Sequence, residues 1–158
     1  MLRAHKAILS LVATATLAGS PLAVSHFDDK EPMQSYRQSA FALMAMNFGP
    51  MNAMLKGEIP WNQEQFAGWA DDLDDIAELD IMRGFAEGTD KGTTRAKPEI
   101  WANMEDFESK MVDLQAAAEA LSEAADSGDK DQIMEAFKAT GGACKACHDE
   151  YKSKDYLY

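Results

Sequence analysis

The 158 residues are 46% hydrophobic and 27% charged, a composition that supports one globular domain with its own core and excludes a disordered chain. Lys plus Arg number 15 against 27 Asp plus Glu, a net charge of −12, which argues strongly against nucleic acid as a partner, because phosphate contacts need basic clusters. The longest apolar run is too short and too near the start to be an internal membrane span.

The first residues read as an export address. Arg3 and Lys6 are followed by the uncharged stretch Ala7 to Gly19, which has the length of a secretory apolar region. The small residues Ala23-Val24-Ser25 then precede His26. This pattern predicts a cleaved signal peptide over residues 1–25, cut after Ser25 or close by, and a mature chain of 26–158, with a first helix of the fold as the alternative. Cleavage takes two of the 15 basic residues and none of the 27 acidic ones, moving the net charge from −12 to −14. In a Gram-negative host the destination is the periplasm, whose oxidising conditions bear on the cysteines.

The mature chain reads as all-α. From Met33 to Leu55, Tyr36, Ala40, Leu43/Met44, Phe48, Met51 and Leu55 recur mostly at steps of three and four, as one helical face does. Gly49-Pro50 interrupts this segment, so a kink is expected there, with an early stop as the alternative. Lys56 to Pro60 is a loop. A second helix is predicted from about Asn62 to Met82, with Phe66, Trp69, Leu73, Ile76 and Ile81 inward and an acidic run from Asp71 to Glu78 on its solvated side. Residues Arg83 to Lys97 form the longest irregular stretch, able to cross the bundle or cover a ligand. Pro98 suits the first turn of a third helix that runs through Trp101, Phe107 and Leu114 to about Ala125. Asp129 can cap a fourth, carrying Ile133, Phe137, Cys144 and Cys147 to about Lys152. No segment alternates with period two. The expected architecture is an antiparallel four-helix bundle.

The chemistry is concentrated in Cys144-Lys145-Ala146-Cys147-His148, which uses both cysteines of the chain. Two thiols one helical turn apart can add to the two vinyl groups of one haem while the neighbouring imidazole ligates its iron, so the spacing points to covalent haem c. A thioredoxin-type dithiol is the rival reading, but that motif opens a helix after a strand, and here it lies late in a helical chain. Zinc is weaker still, since beyond two thiolates and one imidazole the mature chain offers only His26 as a further imidazole.

The second axial position separates an electron carrier from a gas binder. Besides His26, its candidates are nine mature methionines, among them Met44, most of which must be ordinary packing residues. Cys-Lys-Ala-Cys-His near the C-terminus, Tyr36-Arg37-Gln38-Ser39-Ala40, Lys56-Gly57 before Ile59-Pro60, and Ala96-Lys97-Pro98-Glu99-Ile100-Trp101 together resemble the cytochrome c′ family, from about residue 33 to 152. The resemblance implies a left-handed antiparallel four-helix bundle, usually a homodimer, with one haem c near one end.

It also implies roles residue by residue. Cys144 and Cys147 match the thioether cysteines and His148 the proximal iron ligand. Arg37 and Gln38 match positions at the haem edge, where they could bind propionates. Thr89 and Asp90 match residues near the same edge. Phe41 falls where most members have an apolar distal residue and low-spin relatives a ligating methionine. Met44, one turn on, caps the pocket or ligates iron if the first helix shifts. Lys152 stands where many members have arginine. Phe41, Met44 and Phe85 would wall an apolar distal pocket with no hydrogen-bond donor. The expectation is an iron that binds nitric oxide, and more weakly carbon monoxide, while excluding dioxygen, as a buffer of nitric oxide. The alternative is a one-electron carrier whose acidic surface steers toward a basic redox partner. No set of residues for bond-making catalysis stands out, so the chain is not read as an enzyme.

Overall fold

The computed structural model describes residues 31–157; the predicted leader and His26 lie outside them. Helix α1 spans Pro32–Leu55, with Pro32 in its first turn, where proline costs nothing because that amide has no helical partner. Pro50 does not stop it. The carbonyl that loses its partner belongs to Met46, which is 71% exposed, so water can take the missing hydrogen bond.

Helix α2 spans Gln63–Ala77 and is capped by Asn62, whose Oδ1 accepts from the Gln65 amide at 3.0 Å. It ends five residues short of the predicted Met82. Asp74, Asp75 and Glu78 accumulate at its negative pole with no basic residue in the last turn, which disfavours further helix. The chain instead forms a 3-10 turn over Ile81–Phe85, whose Ile81, Gly84 and Phe85 are buried. The predicted third helix is divided: α3 covers Glu99–Ala102, and α4 runs from Met104 to Ser127 after a non-helical Asn103. The break follows from Trp101, whose indole N–H donates to the Phe85 and Ala86 carbonyls at 2.9 and 3.2 Å and so anchors α3 to the 3-10 turn. Gly128, at φ 70°, closes α4 in the left-handed conformation that favours glycine. Asp129 then caps α5, Lys130–Tyr151, accepting from the amides of Asp131 and Gln132.

The long helices α1, α2, α4 and α5 form the expected antiparallel four-helix bundle around Met51, Phe66, Ala118, Leu121 and Ile133. Three edges of the bundle are tightly packed: α1 on α2, α2 on α4, and α4 on α5. The fourth edge is different, for α1 and α5 barely touch. One bridge spans it, the stacked rings of Phe48 and Phe137, 4.2 Å between centroids and 5° from parallel. Gly141 lies against that stack, where a Cβ would make ordinary van der Waals contact with Phe48. No helix among the described residues is long and apolar enough to cross a membrane.

Phe107 of α4 joins the open edge to the rest, lying edge-on to Phe85 at 4.7 Å and to Tyr151 at 5.3 Å. Phe107→Ala should cost about 3–5 kcal/mol, the usual range for a buried phenylalanine, read as a lowered thermal midpoint by circular dichroism; an unchanged midpoint would mean that these rings do not hold the helices together. Tyr151 also donates from its hydroxyl to Asp106 Oδ2 at 2.6 Å, tying α5 to α4. That bond, helped by Lys110, holds the Asp106 carboxyl below its ordinary range. The stabilisation is therefore present above the unfolded carboxylate value and lost as pH falls through the lowered folded one. Tyr151→Phe should flatten the dependence of stability on pH below about pH 4, measured by urea unfolding; parallel acid limbs for variant and wild type would exclude the linkage.

Candidate functional site

Helix α5 sets Cys144 and Cys147 one turn apart on its inner face, with His148 immediately after. The two thiols are not joined. Burial pushes the Cys147 thiol up to about 11 and raises that of Cys144 as well, and the negative pole of α5 lies close by. A reactive dithiol needs the opposite, a lowered pKa, so the thioredoxin reading has no support in this environment. Among the described residues no group of three His, Cys, Asp or Glu could hold a metal ion, and His26, the further imidazole of the zinc reading, lies outside them. Burial, with the nearby charges of Lys152 and Arg95, lowers the His148 pKa and favours the neutral imidazole that can ligate a metal.

These three residues face a cavity of about 610 Å³ that occupies the open edge between α1 and α5. Helix α1 supplies one wall with Phe41, Ala42, Met44, Ala45 and Phe48. Phe85, Ile100, Phe107, Met111 and Leu114 form the floor toward α4, and Arg37 and Gln38 stand at the N-terminal end of α1. The ionisable groups that line it besides Cys144, Cys147, His148 and the tyrosines Tyr151 and Tyr156 are Arg37, Arg95, Lys110 and Lys152, with no carboxylate among them. In a chain of net charge −12 this is a local inversion of sign.

Arg37 is the most constrained of these cations, 2% exposed. Its Nη1 donates to Gly84 O at 2.8 Å and Thr89 Oγ1 at 3.1 Å, and its Nη2 to Thr89 O at 2.9 Å and Thr94 Oγ1 at 2.8 Å. The guanidinium lies 4.8 Å from the Phe85 ring centroid and 5.5 Å from that of Trp101. Burial pushes its pKa down, partly offset by the charges of Asp90 and Glu31. Gln34 and Gln38 reinforce the same lacing, their amides donating to Lys91 O and Thr93 O at 2.7 Å each. Gly92 completes it: at φ 83° it carries no Cβ, and one placed there would collide with the Glu31 carboxylate, which accepts from the Thr93 amide.

Nine of the eleven residues given a role in the sequence therefore line one cavity: Cys144, Cys147, His148, Arg37, Gln38, Phe41, Met44, Phe85 and Lys152. Thr89 and Asp90 do not line it. Thr89 stands behind Arg37 as its hydrogen-bond acceptor, and Asp90 acts on Arg37 through charge alone. Sequence reasoning passed over Phe48 as a site residue, although it lies one turn beyond Met44 on the same face, and Leu114 on the inner stripe of α4, and it carried Met111 only as one of the nine methionine candidates for the second axial position. Arg95 and Tyr156 gave no such signal, because a loop and a tail bring them in.

The residues fit haem c. Two inward thiols at one-turn spacing beside an imidazole match two thioether bonds and an iron ligand, the apolar walls match a porphyrin, and the lining cations, of which Lys110 is also paired with Asp106 and Glu150, match its two carboxylates.

Comparison with known proteins agrees. The cytochrome C′ family model matches residues 33–152. Cytochrome c′ of Alcaligenes xylosoxydans xylosoxydans is 39% identical over 128 residues, covering 81% of this chain and 98% of the relative. Among solved structures, cytochrome c′ from Shewanella frigidimarina superposes with a TM-score of 0.77 at 44% identity, covering 81% of this chain and 99% of that one. A ferrous variant of the Alcaligenes xylosoxidans protein with bound nitric oxide gives 0.72 at 40% identity, covering 79% and 96%. With its bundle, its C-terminal haem-attachment motif and these relatives in agreement, the chain belongs to the cytochrome c′ family, whose members carry covalently attached haem c.

Proposed function

We propose that this chain binds nitric oxide, and more weakly carbon monoxide, at a haem iron held by His148, and that it buffers nitric oxide in the periplasm after residues 1–25 are removed. Cys144 and Cys147 would form the two thioether bonds to the haem, and His148 would ligate its iron. The haem would supply an iron able to bind a diatomic gas, and the rest of the behaviour comes from the protein's walls.

The observation that carries this reading is the composition of the α1 wall. Phe41, Ala42, Met44, Ala45 and Phe48 present no hydrogen-bond donor to the cavity. A diatomic that gathers negative charge on binding gains nothing from such a surface, so dioxygen is disfavoured, while nitric oxide and carbon monoxide depend less on a donor. Phe41 cannot ligate iron, and its ring meets that of Phe85 at 6.4 Å, which crowds the approach. Met44, 6% exposed, serves as packing beneath that ring. Arg37, Arg95, Lys110 and Lys152 offset the haem carboxylates, a role for which Arg37 is suited because its buried charge has no carboxylate hydrogen-bonded to it among the described residues. Relatives solved with nitric oxide or carbon monoxide bound support the ligand class. Nothing at the site suggests a group for bond-making catalysis, so the protein acts as a binder and not as an enzyme.

The exposed Leu43 and Met46 on the outer side of α1 favour a homodimer through α1 and α2, and another cytochrome c′ is described as a dimer that dissociates under ligand control. Sedimentation of the purified holoprotein should give twice the chain mass; a monomer at micromolar concentration would remove this part of the proposal.

Optical and electron paramagnetic resonance spectra test the ligand reading. The ferrous protein should be high-spin and respond to both gases. Phe41→Met should convert it to a low-spin form indifferent to carbon monoxide, because a thioether then reaches the iron. A low-spin, gas-indifferent wild type would instead make the protein a one-electron carrier.

A further inference from the structure

Residues 153–157 lie beyond the family match, which ends at 152, yet they are built into the cavity's rim. Backbone pairing continues past the end of α5. The Lys97 amide donates to Tyr151 O at 3.0 Å, Ala96 and Lys152 form an antiparallel bridge, the Ser153 amide donates to Arg95 O at 2.8 Å, and the Leu157 amide donates to Thr94 O at 3.0 Å. Arg95 adds two side-chain bonds, from Nε to Ser153 O at 2.8 Å and from Nη2 to Lys154 O at 2.6 Å. A terminal segment without such ties frays, whereas this one is fastened at both ends.

The fastening returns Tyr156 to the cavity, whose wall it shares with His148, Arg95 and Lys152. Tyr156 is 59% exposed, so the ring stands at the opening with one side toward the cavity and the other toward solvent. The segment that receives the tail also reaches inward, because Thr94 Oγ1 accepts from Arg37. One short stretch, residues 94–97, thus couples the tail on its outer edge to the buried guanidinium on its inner side.

We infer that Tyr156 determines access to the iron on its His148 side: the C-terminal strap holds the phenol ring over that opening and limits the approach of water and hydrophilic solutes to the haem. The inference rests on haem attachment at Cys144 and Cys147 with His148 on iron. Solvent exposure is one of the levers that set a haem's reduction potential, because water stabilises the more highly charged oxidised site. A ring that excludes water from this side therefore raises the potential and slows outer reagents. The opposite wall, from α1, has its own bulky side chains and no such strap, so the two faces of the iron are guarded by different means.

The test uses the holoprotein, with covalent haem measured first as the pyridine haemochrome. In Tyr156→Ala the midpoint potential should fall, and oxidation of the ferrous protein by an anionic and by a cationic metal complex should both accelerate several-fold; the two charges separate access from electrostatics. Tyr156→Phe should restore wild-type values, since the ring and not the hydroxyl does the shielding. Arg95→Gln should release the strap, with faster hydrogen exchange at the Ser153 and Leu157 amides and the same gain in rate. Wild-type potential and rates in Tyr156→Ala, or free-chain exchange at those amides in the wild type, would overturn the inference while leaving gas binding intact. A chain without covalent haem would overturn both readings.

Discussion

The structure depends on one seam, the edge between α1 and α5. The other three bundle edges are closely packed, and along this one the helices lie farther apart, with Phe48 stacked on Phe137 across it. Protein interiors pack near the density of organic crystals, so an opening of this size is not an accident of poor packing but a place for a group of matching shape. The two helices that border it carry the chemistry, the thiols and imidazole on α5 and the apolar wall on α1. A bound porphyrin thus takes the position that helix-to-helix contact would otherwise occupy.

Charge follows the same division. Most acidic residues of α2 lie on a solvated face, with Asp74 turned partly inward and one of its carboxylate oxygens buried, whereas the cavity gathers cations and no carboxylate. Net charge alone describes the far field, which steers encounters, and says nothing of the few ångströms around the site. Arg37 shows how far the local requirement goes. A guanidinium that is nearly inaccessible retains its charge because four carbonyl and hydroxyl acceptors and two aromatic rings receive it. The same four bonds fold the stretch from Gly84 to Thr94 against α1, so the residue that serves the cavity also builds its rim.

The boundaries that moved did so for two different reasons. Periodicity carried α2 on to Met82, because Ile81 continues the apolar stripe, but Ile81 is buried from a 3-10 turn after acidic residues end the helix. Pro98 suggested one unbroken third helix, and the Trp101 indole, drawn to Phe85 and Ala86, divides it at Asn103. Charge at the helix end decided the first boundary and a partner distant in sequence the second, and apolar periodicity yielded to both. Thr89 and Asp90 illustrate the same limit for the site: their neighbourhood was legible, but their position behind Arg37 was not.

By itself the amino-acid sequence determined the helical class, the number of long helices, and the identity of the attachment motif. Amphipathic spacing and the thiol-thiol-imidazole pattern are local properties that a chain carries before it folds. Only the tertiary structure decided which bundle edge forms the cavity, which cations turn toward it, and that a tail beyond residue 152 pairs with residues 94–97 at its rim. Those outcomes depend on pairings between residues as distant as Thr94 and Leu157 or Phe48 and Phe137, for which no local pattern exists.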